Sequence, residues 1–206
     1  MLETLSLQTL ATFALASALI EVTPGPNMAY LALISASEGR RAGFLTVAGI
    51  ALGLGTIGVA AALGLAGIVA GSPLVYEILR WAGILFLFYL AFDAWRGADG
   101  AEAEGEAKRA HFTRGLVTNL LNPKAALFFI TVIPAFIPET GPTLAANLIL
   151  VALYVAVATL IHAAIVVAAG AATPLLADER RAMLLRRVFA VLLAAVAVWF
   201  FFATRT

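Results

Sequence analysis

Apolar residues run almost unbroken along this chain, and the polar ones gather at intervals close to one membrane thickness. A helix needs about 20 predominantly apolar residues to cross a bilayer. Six stretches reach that length, at roughly 5–35, 42–70, 73–95, 115–137, 143–174 and 184–204. Turn residues punctuate their ends at Gly71-Ser72-Pro73, at Pro138-Glu139-Thr140-Gly141-Pro142 and at Thr173-Pro174. The pattern predicts an all-α integral membrane protein of six transmembrane helices. The first and fifth stretches are long enough to tilt or to contain a break.

The first stretch does contain one. Between Leu5–Ile20 and Met28–Ile34 the chain reads Glu21-Val22-Thr23-Pro24-Gly25-Pro26-Asn27. Each proline removes a backbone donor and clashes with the preceding turn. Inside hydrocarbon the freed carbonyls find no water, so such a break persists only where protein covers it or where it lines a wet cavity. A second break, Thr118-Asn119-Leu120-Leu121-Asn122-Pro123-Lys124, follows about 98 positions later, again with asparagine beside proline. Three spans precede the segment 97–113 and three follow it. Because three is odd, the halves are expected to form an inverted repeat within a single membrane domain, residues 1–96 and 114–206. Paired interruptions at matching places in two halves point to a transporter's solute site. A broken helix offers free amides to a carboxylate and free carbonyls to an ammonium.

Composition agrees with the membrane class. Of 206 residues, 63% are hydrophobic and 12% charged, against about a quarter charged in soluble domains. The net charge of +1 says nothing about nucleic acid, because what matters is where the charges lie; no nucleic-acid partner is expected. No cysteine is present, which excludes disulfides, thiolate catalysis and thiolate-bound metal. Ala16-Ser17-Ala18 resembles a signal-peptide cleavage site, but only Glu3 precedes the apolar run, so the segment is expected to be retained as the first span. Residues 97–110 are small and charged and read as a flexible cytoplasmic loop.

The cations set an orientation. Arg40, Arg41, Arg96, Lys108, Arg109, Arg114, Arg180, Arg181, Arg186 and Arg187 fall on one side of the predicted bundle, and Arg80 and Arg205 on the other. By the positive-inside rule both termini face away from the cytoplasm. Trp81 and Trp199 then stand at the outer interface and Trp95 at the inner one.

Ionisable groups inside a span cost roughly 2.5–3.5 kcal/mol on insertion scales, which makes each a functional candidate. Glu21 lies sixteen residues past Leu5, about 24 Å at helical rise. It suits a proton carrier, an amine-binding carboxylate, or a cap for the broken helix. His162 suits either a proton relay or an interhelical hydrogen bond. Asp93 suits an i,i+3 pair with Arg96 or a gate, and completes the candidates for proton coupling. Lys124 suits three roles: binding a substrate carboxylate, snorkelling inward, or neutralising freed carbonyls. Asn27, Asn119 and Asn122 supply donors and acceptors for a polar solute. With Thr23, Pro24, Gly25, Pro26, Pro123 and Lys124 they make up the expected substrate site. Tyr30, Tyr89 and Tyr154 read as packing or interface residues. Gly39, Gly43, Gly49, Gly53, Ala60 and Gly64 form a small-residue stripe for close helix contact, which leaves room for a homodimer.

Pro24-Gly25-Pro26-Asn27, Gly39-Arg40-Arg41-Ala42-Gly43 and the glycine-rich second span resemble the first half of the lysine exporter (LysE/RhtB) family. Trp81-Ala82-Gly83 leading to Trp95-Arg96 is similar to its third span. Asn122-Pro123-Lys124-Ala125-Ala126-Leu127-Phe128-Phe129, followed by Pro134 and Phe136, is similar to its second motif. The resemblance implies a bacterial inner-membrane exporter of amino acids or their derivatives, driven by proton exchange; no cofactor and no metal are expected. Relatives commonly carry Pro-Gln-Phe where this chain has Pro134-Ala135-Phe136, and many place an acid near the position of His162. A membrane-embedded enzyme would need a clustered nucleophile and base, which the spans lack. A scaffold or signalling protein would not need broken helices, and a passive channel shares the same sequence features.

Overall fold

A computed structural model describes residues 5–23, 25–64, 72–96, 104–137, 144–171 and 179–203. Among them are eight α-helices: α1 (Leu7–Val22), α2 (Pro26–Glu38), α3 (Arg40–Ala62), α4 (Pro73–Arg96), α5 (Glu104–Leu120), α6 (Pro123–Thr131), α7 (Leu144–Gly170) and α8 (Glu179–Ala203). A 3₁₀ turn, Ile133–Phe136, follows α6. Among the described residues the regular structure is entirely helical, without strands. Helices α3 and α7 are each long and apolar enough to cross a membrane, and two bent pairs meet the same test when each is taken together. One pair, α1 with α2, bends by 64°, and the other, α5 with α6, by 48°. By length and composition this gives two to four candidate spans. Large apolar side chains cover the outside, Leu7, Leu74 and Leu160 being at least 70% exposed. Such a surface suits lipid rather than water.

Both breaks fall where the sequence places them. Helix α1 ends at Thr23, whose amide bonds the Ile20 carbonyl, and α2 starts again from Gly25 with Pro26 in its first turn. Pro24 lies outside the described residues. Helix α5 ends at Leu120, and α6 restarts with Pro123 in its first turn, where its missing N–H costs nothing. The punctuating prolines and glycines expected at 71, 138–142 and 173–174 also lie outside the described residues. One expectation changes: α5 begins at Glu104, so residues 104–110 are helical rather than a flexible loop. The run Glu104-Gly105-Glu106-Ala107-Lys108 offers i,i+4 charge spacing that supports a helix.

Helix α3 sits centrally, against α5 and α7, while α4 packs on α8 and α2 reaches α3, α7 and α8. The small-residue stripe explains the closeness. A Cβ added at Gly49 would strike the Phe112 carbonyl, and one at Gly115 the Thr46 carbonyl, so α3 and α5 meet backbone to backbone. Gly43 instead makes room for the side chains of Ser35 and Val166. Gly39 and Gly64 do not belong to that stripe. They take φ of +90° and +87° with open space around them, and are turn glycines.

The basic helix ends meet. Arg40 donates to the Val167 carbonyl (3.2 Å), Arg187 lies over the Trp95 ring, and His111 pairs with Glu38 (3.4 Å). At the opposite end Arg80 pairs with Glu77 (3.0 Å) and donates to the Phe201 carbonyl (2.8 Å). Trp81 packs on the Phe201 ring at that same end.

Candidate functional site

Helix α1 buries one i,i+4 row, Phe13, Ser17 and Glu21, and turns its other faces outward. Helix α7 buries the row Leu150, Tyr154, Ala158, His162 and Val166. The two rows face each other, because α1 packs on α7. The result is a carboxylate with a hydrogen bond at one oxygen and an imidazole facing the other. The Tyr154 hydroxyl donates to Glu21 Oε1 at 2.5 Å, and His162 Nε2 stands 3.4 Å from Glu21 Oε2. Glu21 is 5% exposed, Tyr154 0% and His162 1%. A carboxylate this deep is tolerated only with partners, and here both come from one face of one helix.

Tyr154 is the partner that sequence inspection missed. Its spacing from His162, eight residues with a small alanine midway, puts both on one side of α7 about 12 Å apart along the axis. Ala158 leaves room for an acid to reach between them. The Tyr154 ring stacks on Phe128 (3.8 Å between centroids, 13°) and meets Phe129 edge-on at 5.2 Å. Both phenylalanines belong to α6, the helix that the second break begins.

The two breaks touch. Lys124 Nζ donates to the Thr23 carbonyl at 2.9 Å, two residues past Glu21. Of the three roles open to Lys124, the geometry shows the third, with a carbonyl freed at the opposite break. Asn122 accepts from the Lys124 amide at 3.1 Å and caps α6. Thr23 turns its hydroxyl back onto the Leu19 carbonyl (3.1 Å). Gly25 lies beside Lys124, an added Cβ coming 3.7 Å from its Cδ. Asn27 donates through Nδ2 to Asn119 Oδ1 at 2.9 Å, joining α2 to α5. One bond between two amides leaves one carbonyl oxygen and one whole NH2 group unused. Here these are Asn27 Oδ1 and Asn119 Nδ2, both buried and without a partner among the described residues. Both ring nitrogens of His162 are likewise buried without a hydrogen-bond partner among the described residues, Nε2 lying within ion-pair distance of Glu21. Such atoms cost free energy while empty and suit a polar ligand or water.

Asp93 does not join this group. Its carboxylate pairs with Arg114 of α5 at 3.0 Å, not with Arg96 as the i,i+3 spacing predicts. Arg96 instead lies over the Phe92 ring, 4.9 Å from its centroid. The partner from a neighbouring helix wins because a long side chain at a helix end is free to fold back over an apolar ring.

Broken helices, an apolar exterior and a buried acid–imidazole pair are features that suit a membrane transport protein. Residues 18–204 match the LysE type translocator family, and the chain belongs to that family. It is a translocator and not an enzyme. Over 142 residues it is 33% identical to a homoserine/homoserine lactone efflux protein of Salmonella typhimurium, and 32% identical to the protein so named of Salmonella typhi. These alignments span 67% of this chain and 69% of each relative. It is also 31% identical over 143 residues to an uncharacterised membrane protein of Pseudomonas aeruginosa, spanning 65% of this chain and 66% of that one. No solved structure gives a significant match.

Proposed function

We propose that this translocator is a secondary active exporter of amino acids or amino-acid derivatives across the bacterial inner membrane, exchanging solute for protons by alternating access. One observation carries the proposal: Glu21 is buried between Tyr154 and His162, two residues from a break whose freed carbonyl is held by Lys124 of the other break. A carboxylate between a phenol and an imidazole can take up and release a proton without meeting bulk water. The unpaired amide atoms of Asn27 and Asn119 stand at the two breaks, where a zwitterion's charged groups would find them. The efflux proteins among the relatives favour the same solute class and direction.

Six spans in two inverted halves, 1–96 and 114–206 with linker 97–113, accommodate this mechanism. Exchanging the halves maps α1 on α7 to α5 on α3, and maps α4 on α8 to itself; all these contacts are present. With the basic ends of α3, α4, α5 and α8 in the cytoplasm, both termini face outward.

The test is amino-acid efflux from cells loaded with a panel of dipeptides, with and without a proton uncoupler. Expression is expected to accelerate efflux of at least one amino acid, and the uncoupler to abolish the acceleration. No accelerated efflux of any amino acid overturns the proposal. Efflux that persists unchanged under the uncoupler identifies a passive channel instead.

A further inference from the structure

We propose that Tyr154 is the positioning residue that ties the second break to the proton on Glu21, so that movement of α6 sets whether the carboxylate is charged. This inference rests on Glu21 being the proton carrier.

The connection is short. Helix α6 begins at the break, and Lys124 and Phe128 stand one turn apart near its start. Lys124 holds the Thr23 carbonyl beside Glu21, while Phe128 forms the face on which the Tyr154 ring lies. Phe129 closes the ring's other side edge-on, and Phe13 of α1 meets Phe128 at 5.8 Å. A nine-residue helix moves as a rod. Any tilt of α6 that frees Lys124 for a solute therefore also shifts the seat of Tyr154. Packed aromatic surfaces shift between discrete arrangements rather than deforming smoothly.

The hydroxyl makes this seat matter to the proton. Phenylalanine would fill the same apolar volume, and nothing in the packing requires an oxygen. That oxygen instead donates to a buried carboxylate at 2.5 Å. A donor of this kind stabilises the ionised carboxylate. When the ring is displaced the donor is withdrawn, and a proton entering from the outer side replaces it on Glu21. Tyr154 keeps its own proton throughout. His162 flanks the second oxygen, and Lys124 is the nearby cation across the break. Solute release and proton uptake thus become one movement.

The experiment reconstitutes the full-length protein in proteoliposomes with labelled homoserine, threonine, leucine and lysine. Two rates are compared: solute exchange at equal pH, and accumulation driven by an imposed pH difference. Tyr154→Phe is expected to keep exchange within about threefold and to lower pH-driven accumulation about tenfold, the scale of one charge-assisted hydrogen bond. Phe128→Leu, which keeps the hydroxyl but removes its seat, is expected to reproduce that loss, and the double variant to add nothing further. If both variants lower exchange and accumulation in equal proportion, or lower neither, Tyr154 is a packing residue and the inference falls. If the wild type exchanges solute but ignores the pH difference, the proton-exchange mechanism itself is wrong and this inference falls with it.

Discussion

Lys124 donates its ammonium to the carbonyl of Thr23, 101 positions earlier in sequence, at 2.9 Å and so joins the two helix breaks. Each break alone would leave carbonyls unsatisfied in hydrocarbon, at a cost of several kcal/mol per group. Here the second break supplies the first with its missing donor. Lys124→Met is therefore expected to lower thermal stability in detergent by about 1–3 kcal/mol and to reduce efflux at least tenfold. Lys124→Arg should recover part of both. An unchanged melting temperature in Lys124→Met would show that the Thr23 carbonyl has another donor.

Asn27 and Asn119 hold each other by a single hydrogen bond across the two breaks. Interhelical bonds of this kind contribute about 0.6–1.7 kcal/mol in membranes. A double-mutant cycle with Asn27→Ala and Asn119→Ala should show a coupling energy in that range by thermal unfolding. Each single variant should raise the half-saturating concentration of exported solute at least fivefold, because each removes an amide that faces the break. Additive stability effects would mean that the pair is not formed in the membrane.

The contact of α3 with α5 depends on residues lacking a side chain. Gly49→Ala would drive a methyl group into the Phe112 carbonyl, whereas Gly55→Ala on the same helix meets nothing within 4 Å. The first is expected to destabilise the protein by about 1–3 kcal/mol, the usual cost of overpacking. The second should be neutral or slightly stabilising, since alanine is the better helix former. Equal melting temperatures for the two variants would place the α3–α5 contact elsewhere.

The Asp93–Arg114 pair has side chains that are 39% and 26% exposed. Ion pairs with this much solvent contribute about 0.2–1 kcal/mol. Asp93→Asn should therefore cost no more than that, and it should leave the pH dependence of transport intact, because the pair stands apart from Glu21. A lost response to the pH gradient in Asp93→Asn would return this residue to the proton path.

What could be read from the sequence was what breaks a pattern. Pro26 and Pro123 interrupt apolar runs, so both helix breaks were visible. Glu21 and His162 stood out because charge or imidazole inside a span is expensive. The arginines announced which helix ends would meet. Partners across helices were a different matter. Tyr154 looks like any aromatic packing residue until α1 is laid against α7, for its hydroxyl acquires meaning only from Glu21, 133 positions away. The Asp93–Arg114 pair is hidden for the same reason, since periodicity reports neighbours on one helix and is silent about the next. Asn122 reads as a solute ligand in the chain, and the structure adds that it caps α6, a local role that its position just before proline also fits. Gly39 and Gly49 look alike in the chain, and only backbone conformation separates the turn glycine from the packing one.

The most direct test of the whole account is solute uptake into inside-out membrane vesicles with an acidic interior, comparing the wild type with Glu21→Gln. Glutamine keeps the shape of the side chain and an acceptor for Tyr154, but it cannot carry a proton. The wild type should accumulate solute to a ratio that rises steeply with the pH difference. Glu21→Gln should equilibrate solute without accumulating it, whatever the pH difference. Equal pH-driven accumulation in both proteins would contradict the assignment of Glu21 and with it the proton-exchange mechanism proposed here.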